Sequence, residues 1–128
     1  MRLALLLSIP LAAFAAPAAA QAPAMVEVHL SNFKFTPQAI VLEHGRSYVL
    51  RLVNDGDGGH SFAAPDFFAA ASVEADDRVW LTDGDIEVPG RLIRQIRLTA
   101  PSAPARFKVK CTHAFHKMFG MSGEIIVR

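Results

Sequence analysis

The residue types best suited to chemistry are concentrated near the carboxyl terminus. The segment from Cys111 to Met121 also contains His113, His116 and Met118, so a thiol, two imidazoles and two thioethers occur within one short stretch. Soft sulfur ligands combined with imidazole suit copper, and one Cys and two His with a weakly bound axial Met are the ligands of electron-transfer copper sites. If only one imidazole of the segment binds the ion, the predicted metal site still needs one more His.

His60 is the candidate for the missing imidazole. It directly follows a turn-forming segment of sequence Asn-Asp-Gly-Asp-Gly-Gly, residues 54–59, and it begins a strand-like run. A strand that begins there could place His60 opposite the carboxyl-terminal segment. The remaining histidines are expected at the surface, because His29 lies on the polar face of its strand and His44 lies in a turn.

The first twenty residues have the pattern of a secretory signal peptide. Arg2 supplies a positive start, an apolar run of about a dozen residues follows, and Ala18 and Ala20 form the small-x-small pattern of a cleavage site. The run is shorter than the roughly 20 residues that cross a bilayer. We therefore predict a signal peptide over residues 1–20 and a soluble, exported, periplasmic copper-binding domain over residues 21–128.

Export makes the cysteine content informative. Exported domains usually carry paired cysteines, whereas Cys111 is the only cysteine in this chain. A lone thiol in an oxidising compartment is open to oxidation. We therefore expect Cys111 to be either buried and inert or protected by a bound metal.

The elements that must position these residues are predicted to be strands. The chain is 52% apolar and 20% charged, which favours one compact domain, and its 13 basic and 12 acidic residues form no basic stripe for nucleic acid. Alternating apolar patterns separated by turn signals predict seven or eight short strands and at most one short helical segment, near residues 65–75. We predict an all-β fold, a two-sheet Greek-key β-sandwich.

Some details of this prediction are local. Residues 39–43 and 47–53 are predicted to form a hairpin around a turn at His44 and Gly45, and residues 76–90 are predicted to be irregular with Trp80 and Leu81 turned inward. Large aromatic side chains are expected in the core, namely Phe33, Phe35, Phe62, Phe107 and Trp80.

The chain from residue 25 to residue 128 resembles the small cupredoxins of the plastocyanin and azurin superfamily. The resemblance rests on Asn-Phe-x-Phe-x-Pro at residues 32–37, on Val-Asn-Asp leading to His-Ser-Phe at residues 60–62, and on Cys-x4-His-x4-Met at residues 111–121. It implies a cupredoxin-like sandwich with a type 1 blue-copper site. The ligands of its single copper ion would be His60, Cys111, His116 and Met121.

Alternatives remain at the ligands. Met118 could replace Met121 as the axial ligand, and His113 is expected to be a loop residue facing solvent. Ser61 and Thr112 each follow a predicted ligand and are expected to bind each other, which would tie the two ligand loops together. Zinc is a weaker candidate than copper, because Met is a poor zinc ligand.

The ligand set implies that the protein shuttles single electrons between redox partners and is not an enzyme. A multicopper oxidase would have His on both sides of the Cys, where this chain has Lys110 and Thr112. The alternative function is periplasmic copper trafficking or sequestration without a redox role, in which His113 or Met118 would transfer the ion. We expect a monomer that docks a redox partner protein near His116, against an apolar patch of Ala114, Phe115, Met118 and Phe119.

Overall fold

The computed structural model describes residues 13–17, 19–113 and 120–128, and the chain in these ranges is predominantly β. Its eleven strands are β1 Ala24–Ser31, β2 Lys34–Thr36, β3 Ala39–Leu42, β4 Ser47–Asn54, β5 His60–Ala63, β6 Ser72–Val73, β7 Leu81–Thr82, β8 Asp85–Val88, β9 Ile93–Thr99, β10 Ala105–Lys110 and β11 Ser122–Val127. Two helical segments lie between β5 and β7, namely α1 at Pro65–Ala70 and a 3₁₀ helix at Ala75–Trp80.

The strands form two sheets that pack face to face. The five-stranded sheet has the order β2-β1-β4-β9-β6, and the six-stranded sheet has the order β3-β11-β10-β5-β8-β7. The predicted all-β, two-sheet sandwich is confirmed. The strand number exceeds the seven or eight predicted because β2, β6 and β7 contain only two or three residues each.

The core lies between the sheets and is built from alternating strand positions. In β4, for example, Tyr48, Leu50 and Leu52 point inward while the residues between them are only half-buried. Phe62 of β5 lies at the centre of an aromatic cluster, where its ring makes edge contacts with Phe35 and Phe68 at centroid distances of 5.6 and 6.4 Å. This packing fixes the strand that begins at His60.

The predicted hairpin between residues 39–43 and 47–53 is wrong. Strand β3 pairs in parallel with β11 in one sheet, whereas β4 pairs with β1 and β9 in the other. The turn at His44 and Gly45 therefore carries the chain across the sandwich. Both β3 and β4 have alternating apolar side chains. Because the two strands lie in opposite sheets, their apolar side chains enter the same core from opposite sides.

The region from residue 76 to residue 90 is more regular than predicted, because it contains most of the 3₁₀ helix together with β7 and β8. Trp80 is not turned inward. Its side chain is 44% exposed and its ring stacks under the guanidinium of Arg94, 4.3 Å from the ring centroid. Leu81 is only half-buried.

Phe33 is also outside the core, in contrast to Phe35 and Phe62. Asn32 and Phe33 both have positive φ, 38° and 61°, and form the two-residue turn between β1 and β2, which leaves the Phe33 side chain 42% exposed. Phe107 was predicted in the core and packs against it, but its side chain is only partly buried.

The predicted signal peptide overlaps the described residues only in part, since residues 1–12 and 18 lie outside them. In the described ranges, no helix combines the length and the apolar character that crossing a membrane requires. The sandwich itself begins with β1.

Candidate metal centre

The candidate site lies where β5 begins and β10 ends, at the ends of two central strands of the six-stranded sheet. The two strands are neighbours, with Lys110 opposite Ala63 in their register. His60 is the first residue of β5, and Cys111 directly follows β10. The backbone N–H of Ser61, next to His60, donates to the Cys111 sulfur at 3.4 Å. Two segments that are far apart in the sequence thus meet at the thiol.

Met121 lies on the other side of Cys111. The register of β10 with β11 places Lys110 opposite Ser122, so the residues just beyond these two lie opposite each other. The backbone N–H of Cys111 donates to the carbonyl oxygen of Met121 at 3.1 Å. Gly120, with φ of +70°, allows the backbone to turn into β11 immediately before Met121.

All three described candidate ligands are buried. The exposed fraction is 0% for Cys111, 1% for Met121 and 5% for His60. A buried thiol, a buried thioether and a buried imidazole are donors that match the preference of copper for soft ligands. The described ranges contain no cluster of three His, Cys, Asp or Glu side chains suited to a metal. His116 and the alternative axial residue Met118 lie outside the described residues.

The predicted contact between Ser61 and Thr112 is confirmed. Their hydroxyl oxygens are 2.8 Å apart, and the backbone N–H of Thr112 donates to the Ser61 hydroxyl oxygen at 2.9 Å. Ser61 is fully buried. Because each residue directly follows a candidate ligand, these two bonds hold the His60 and Cys111 segments in a fixed relation.

Asn54 was not predicted to take part in the site, yet it organises the segment that leads to His60. Its buried side-chain amide donates to the carbonyl oxygens of Gly58 and Val88, both at 2.9 Å, and its carbonyl oxygen accepts the backbone N–H of Gly56 at 2.9 Å. A methyl group at Gly56 would lie 3.3 Å from Nε2 of His60, so this edge of the imidazole packs against the glycine. The available signal was an Asn that ends a strand before a glycine-rich turn.

His113 binds a carboxylate. Its Nε2 atom lies 2.9 and 3.0 Å from the two carboxylate oxygens of Glu87, a residue that sequence reasoning did not connect with the site. A Cβ atom at Gly59 would lie 2.7 Å from a carboxylate oxygen of Glu87 and 3.2 Å from Cε1 of His113. The His113–Glu87 pair therefore packs against the residue that precedes His60.

His29 supports the same segment from the five-stranded sheet. Its Nδ1 atom lies 2.6 Å from the carboxylate of Asp55, and its Nε2 atom lies 2.8 Å from that of Glu27. The hydrogen bond to Asp55 raises the pKa of His29 most, that to Glu27 raises it further, and desolvation opposes both. His44 is exposed, as predicted.

Comparison with known proteins identifies the fold. The sequence matches no protein-family model and no curated protein sequence. The structure is similar to a dithionite-reduced auracyanin from Roseiflexus castenholzii, with a TM-score of 0.61, 15% identity and coverage of 84% of this chain and 99% of the auracyanin. It is similar also to auracyanin A, a blue copper protein from Chloroflexus aurantiacus, with a TM-score of 0.60, 15% identity and coverage of 84% and 100%.

A third similar structure is a larger protein. It is the multicopper oxidase McoA from Aquifex aeolicus, with a TM-score of 0.60 and 12% identity, and the match covers 88% of this chain but only 31% of the oxidase. The match to both auracyanins extends over their whole length. The chain described here therefore has a cupredoxin fold, the fold of the auracyanins.

Proposed function

We propose that the protein is an exported, mononuclear copper protein that carries single electrons between redox partners. Its ligands would be His60, Cys111, His116 and Met121. When bound, the copper ion would supply a one-electron couple between its cuprous and cupric states. The likeness to auracyanins, one of which is described as a blue copper protein, supports this proposal at the level of the fold.

The observation that carries the proposal is the convergence of segments at the Cys111 sulfur. The sulfur accepts a hydrogen bond from the backbone N–H of Ser61, the residue after His60. The backbone N–H of Cys111 donates to the carbonyl oxygen of Met121. A single, fully buried cysteine can also serve simply as a small apolar core residue that binds no metal. The presence of a buried imidazole-bearing segment and a buried thioether-bearing segment at the same thiol favours ligation instead.

The residues of the chain would contribute rigidity and exclusion of water. His60, Cys111 and Met121 are almost inaccessible, so the site would exchange an electron without solvent entering it. The Ser61 and Thr112 hydrogen bonds join the two ligand segments and would hold one geometry in both oxidation states. Such preorganisation favours electron transfer because little nuclear rearrangement accompanies it.

The Glu87 contact supports His60, rather than His113, as the imidazole beside the thiol. The ring of His113 is held by the carboxylate of Glu87.

Lys110 and Thr112 flank Cys111, so this chain lacks the flanking His pair that a second copper cluster would use. We therefore propose a carrier rather than an oxidase.

The cellular setting is part of the proposal. The signal-peptide pattern of residues 1–20 supports export, and the periplasm is the compartment we propose. A donor protein would reduce the site and an acceptor protein would oxidise it. Both would dock near His116, where the sequence places Ala114, Phe115, Met118 and Phe119.

The test is to load the purified mature domain with copper and record its visible spectrum and reversible reduction. We expect an intense thiolate-to-copper charge-transfer band that disappears on reduction and is absent from Cys111→Ala. The control His113→Gln should keep the band, because His113 is bound to Glu87. Colour that survives in Cys111→Ala would overturn the proposal. Binding of cuprous copper alone, with transfer to an acceptor and no band, would favour copper trafficking instead.

A further inference from the structure

A line of polar contacts leads from the candidate copper ligand Cys111 through two hydroxyl groups to the carboxylate of Asp85. The Ser61 hydroxyl lies 3.9 Å from the Cys111 sulfur and 2.8 Å from the Thr112 hydroxyl. The Thr112 hydroxyl in turn donates to Oδ2 of Asp85 at 2.8 Å. Asp85 belongs to β8, which pairs with β5, so the carboxylate is held by the same sheet as Ser61.

The donors and acceptors give this line a direction. A carboxylate only accepts hydrogen bonds, so the single hydroxyl proton of Thr112 is directed to Asp85. The Thr112 oxygen is then an acceptor for Ser61. The Ser61 hydroxyl has one proton, and a donor distance of 2.8 Å to oxygen is far better than 3.9 Å to sulfur. The Ser61 proton therefore points away from Cys111.

One donor from Ser61 nevertheless reaches the sulfur, namely the backbone N–H at 3.4 Å. Ser61 could supply two hydrogen bonds to the thiolate, one from its N–H and one from its hydroxyl. Because Thr112 and Asp85 direct the Ser61 hydroxyl proton away from the sulfur, Ser61 supplies only the hydrogen bond from its backbone N–H. Hydrogen bonds to a ligating sulfur tune the reduction potential of such sites.

We propose that Thr112, oriented by Asp85, is a positioning residue that keeps the Ser61 hydroxyl proton off the Cys111 sulfur and thereby lowers the reduction potential of the site. This deepens the proposed function and depends on it for the effect on the potential. The direction of the hydroxyl protons does not depend on copper. A hydrogen bond donated to the thiolate withdraws electron density and favours the reduced state, so its absence lowers the potential.

The surroundings of Asp85 make the arrangement testable. Asp85 and Thr112 line a surface groove of about 620 Å³, together with charged residues that include Lys110 and Arg94. Asp85 contacts Thr112 through Oδ2. Its other carboxylate oxygen, Oδ1, is buried and has no hydrogen-bond partner among the described residues. Substitution at this groove wall leaves the apolar core intact.

The main experiment measures the reduction potential and the charge-transfer band of the copper-loaded protein. Thr112→Val removes the acceptor but keeps the shape, so the Ser61 hydroxyl turns to the sulfur, the potential rises and the band moves to higher energy. Thr112→Ser keeps a hydroxyl and should behave like the parent protein. In the Ser61→Ala background, Thr112→Val should produce no further shift. An equal shift with and without the Ser61 hydroxyl would overturn the proposal.

Asp85 is tested in the same way. Asp85→Ala should raise the potential in the parent protein, because the Thr112 proton is then free to turn to Ser61. The shift in reduction potential that Asp85→Ala causes should be larger in the parent protein than in the Thr112→Val background, where the hydroxyl that joins Asp85 to Ser61 is already absent. A charge acting only through space would give equal shifts in both backgrounds, and that result would overturn the role of Asp85.

A second measurement uses the copper-free protein. Ser61 is fully buried, so its hydroxyl proton should exchange slowly enough for detection by nuclear magnetic resonance. We expect the through-space cross-peak between this proton and the Cys111 side chain to be weak in the parent protein and to become stronger in Thr112→Val, where the proton turns to the sulfur. A cross-peak of equal intensity in the two proteins would refute the inference. Because no metal is needed, this result is independent of whether the proposed copper function holds.

Discussion

The backbone N–H of Ser61 lies 3.4 Å from the sulfur of Cys111, although the two residues are 50 positions apart in the sequence. The contact depends on neighbouring strands, because β5 carries Ser61 and β10 ends one residue before Cys111. Hydrogen bonds between Ser61 and Thr112 reinforce it. The thiol is thus fixed by the fold before any ion arrives.

The first prediction concerns the stability of this junction. Ser61→Ala removes the acceptor of the part-buried hydrogen bond from the Thr112 N–H and also removes the hydroxyl contact, so the free energy of unfolding of the copper-free protein should fall by about 1–3 kcal/mol. Urea denaturation followed by circular dichroism measures it. Ser102→Ala, at an exposed loop position, is the matched control and should change stability little. Equal stabilities of the two variants would contradict this role of Ser61.

The second prediction concerns the turn that supports the His60 segment. A Cβ atom at Gly90 would overlap the carbonyl oxygen of Asp57, whereas one at Gly58 would meet nothing within 4 Å. Gly90→Ala must therefore move backbone, and we expect a loss of about 1–3 kcal/mol in the free energy of unfolding together with weaker metal binding. Gly58→Ala should cost much less. Chemical denaturation and copper titration of both variants provide the comparison.

Sequence patterns predicted the sandwich well because alternation along a strand reports directly which face is buried. Tyr48, Leu50 and Leu52 lie in the core for this reason. Pairing between strands is not encoded in the same way, and the predicted hairpin around His44 failed because alternation does not tell which sheet a strand joins. Trp80 was misplaced because its size suggested the core, whereas a guanidinium from a distant strand covers its ring.

At the candidate site, residue type and spacing indicated the chemistry but not the supporting contacts. Ser61 and Thr112 were predicted because each follows a candidate ligand along the chain. Asp85 and Glu87 could not be predicted, since only the pairing of β5 with β8 brings their carboxylates to the site. Long-range partners of this kind depend on the register between strands, and no local pattern in the sequence specifies that register.

The third prediction uses the single tryptophan of the chain. The guanidinium of Arg94 covers the Trp80 ring, so Arg94→Ala should expose the indole to solvent and cost about 0.5–1 kcal/mol of stability. Quenching of the tryptophan fluorescence by acrylamide, a neutral quencher, should become stronger. Arg106→Ala is the control, since Arg106 pairs with Glu124 on β11, and it should leave quenching unchanged. Unchanged quenching in Arg94→Ala would show that the stacking does not protect the ring.

The fourth prediction is a pH dependence that arises from His29. Its contacts with Asp55 and Glu27 raise its folded-state pKa above the ordinary value of 6.5. The protonated form is thus favoured by folding, and its stabilising contribution is complete below about pH 6.5 and is lost as the pH rises through the folded-state pKa. Because the side chain is 40% exposed, we expect a contribution of no more than about 1 kcal/mol.

Urea denaturation of the parent protein and of His29→Gln, from about pH 5 to pH 9, isolates this contribution. The stability difference between them should shrink as the pH increases. His44→Gln, at an exposed turn, is the control variant. A difference that grows with pH would mean that the neutral imidazole, rather than the imidazolium, is stabilised at position 29.

The fifth prediction separates the two candidate axial residues. Met121 is buried and bonded through its carbonyl oxygen to the Cys111 N–H, which favours it over Met118. Met121→Leu keeps an apolar side chain of similar volume, so the fold should survive with a loss below about 1.5 kcal/mol. Loss of the thioether should raise the reduction potential while the thiolate-to-copper band remains, because the axial donor stabilises the oxidised ion. Met118→Leu is the matched variant and should leave the potential unchanged, whereas a shift in Met118→Leu alone would transfer the axial assignment to Met118.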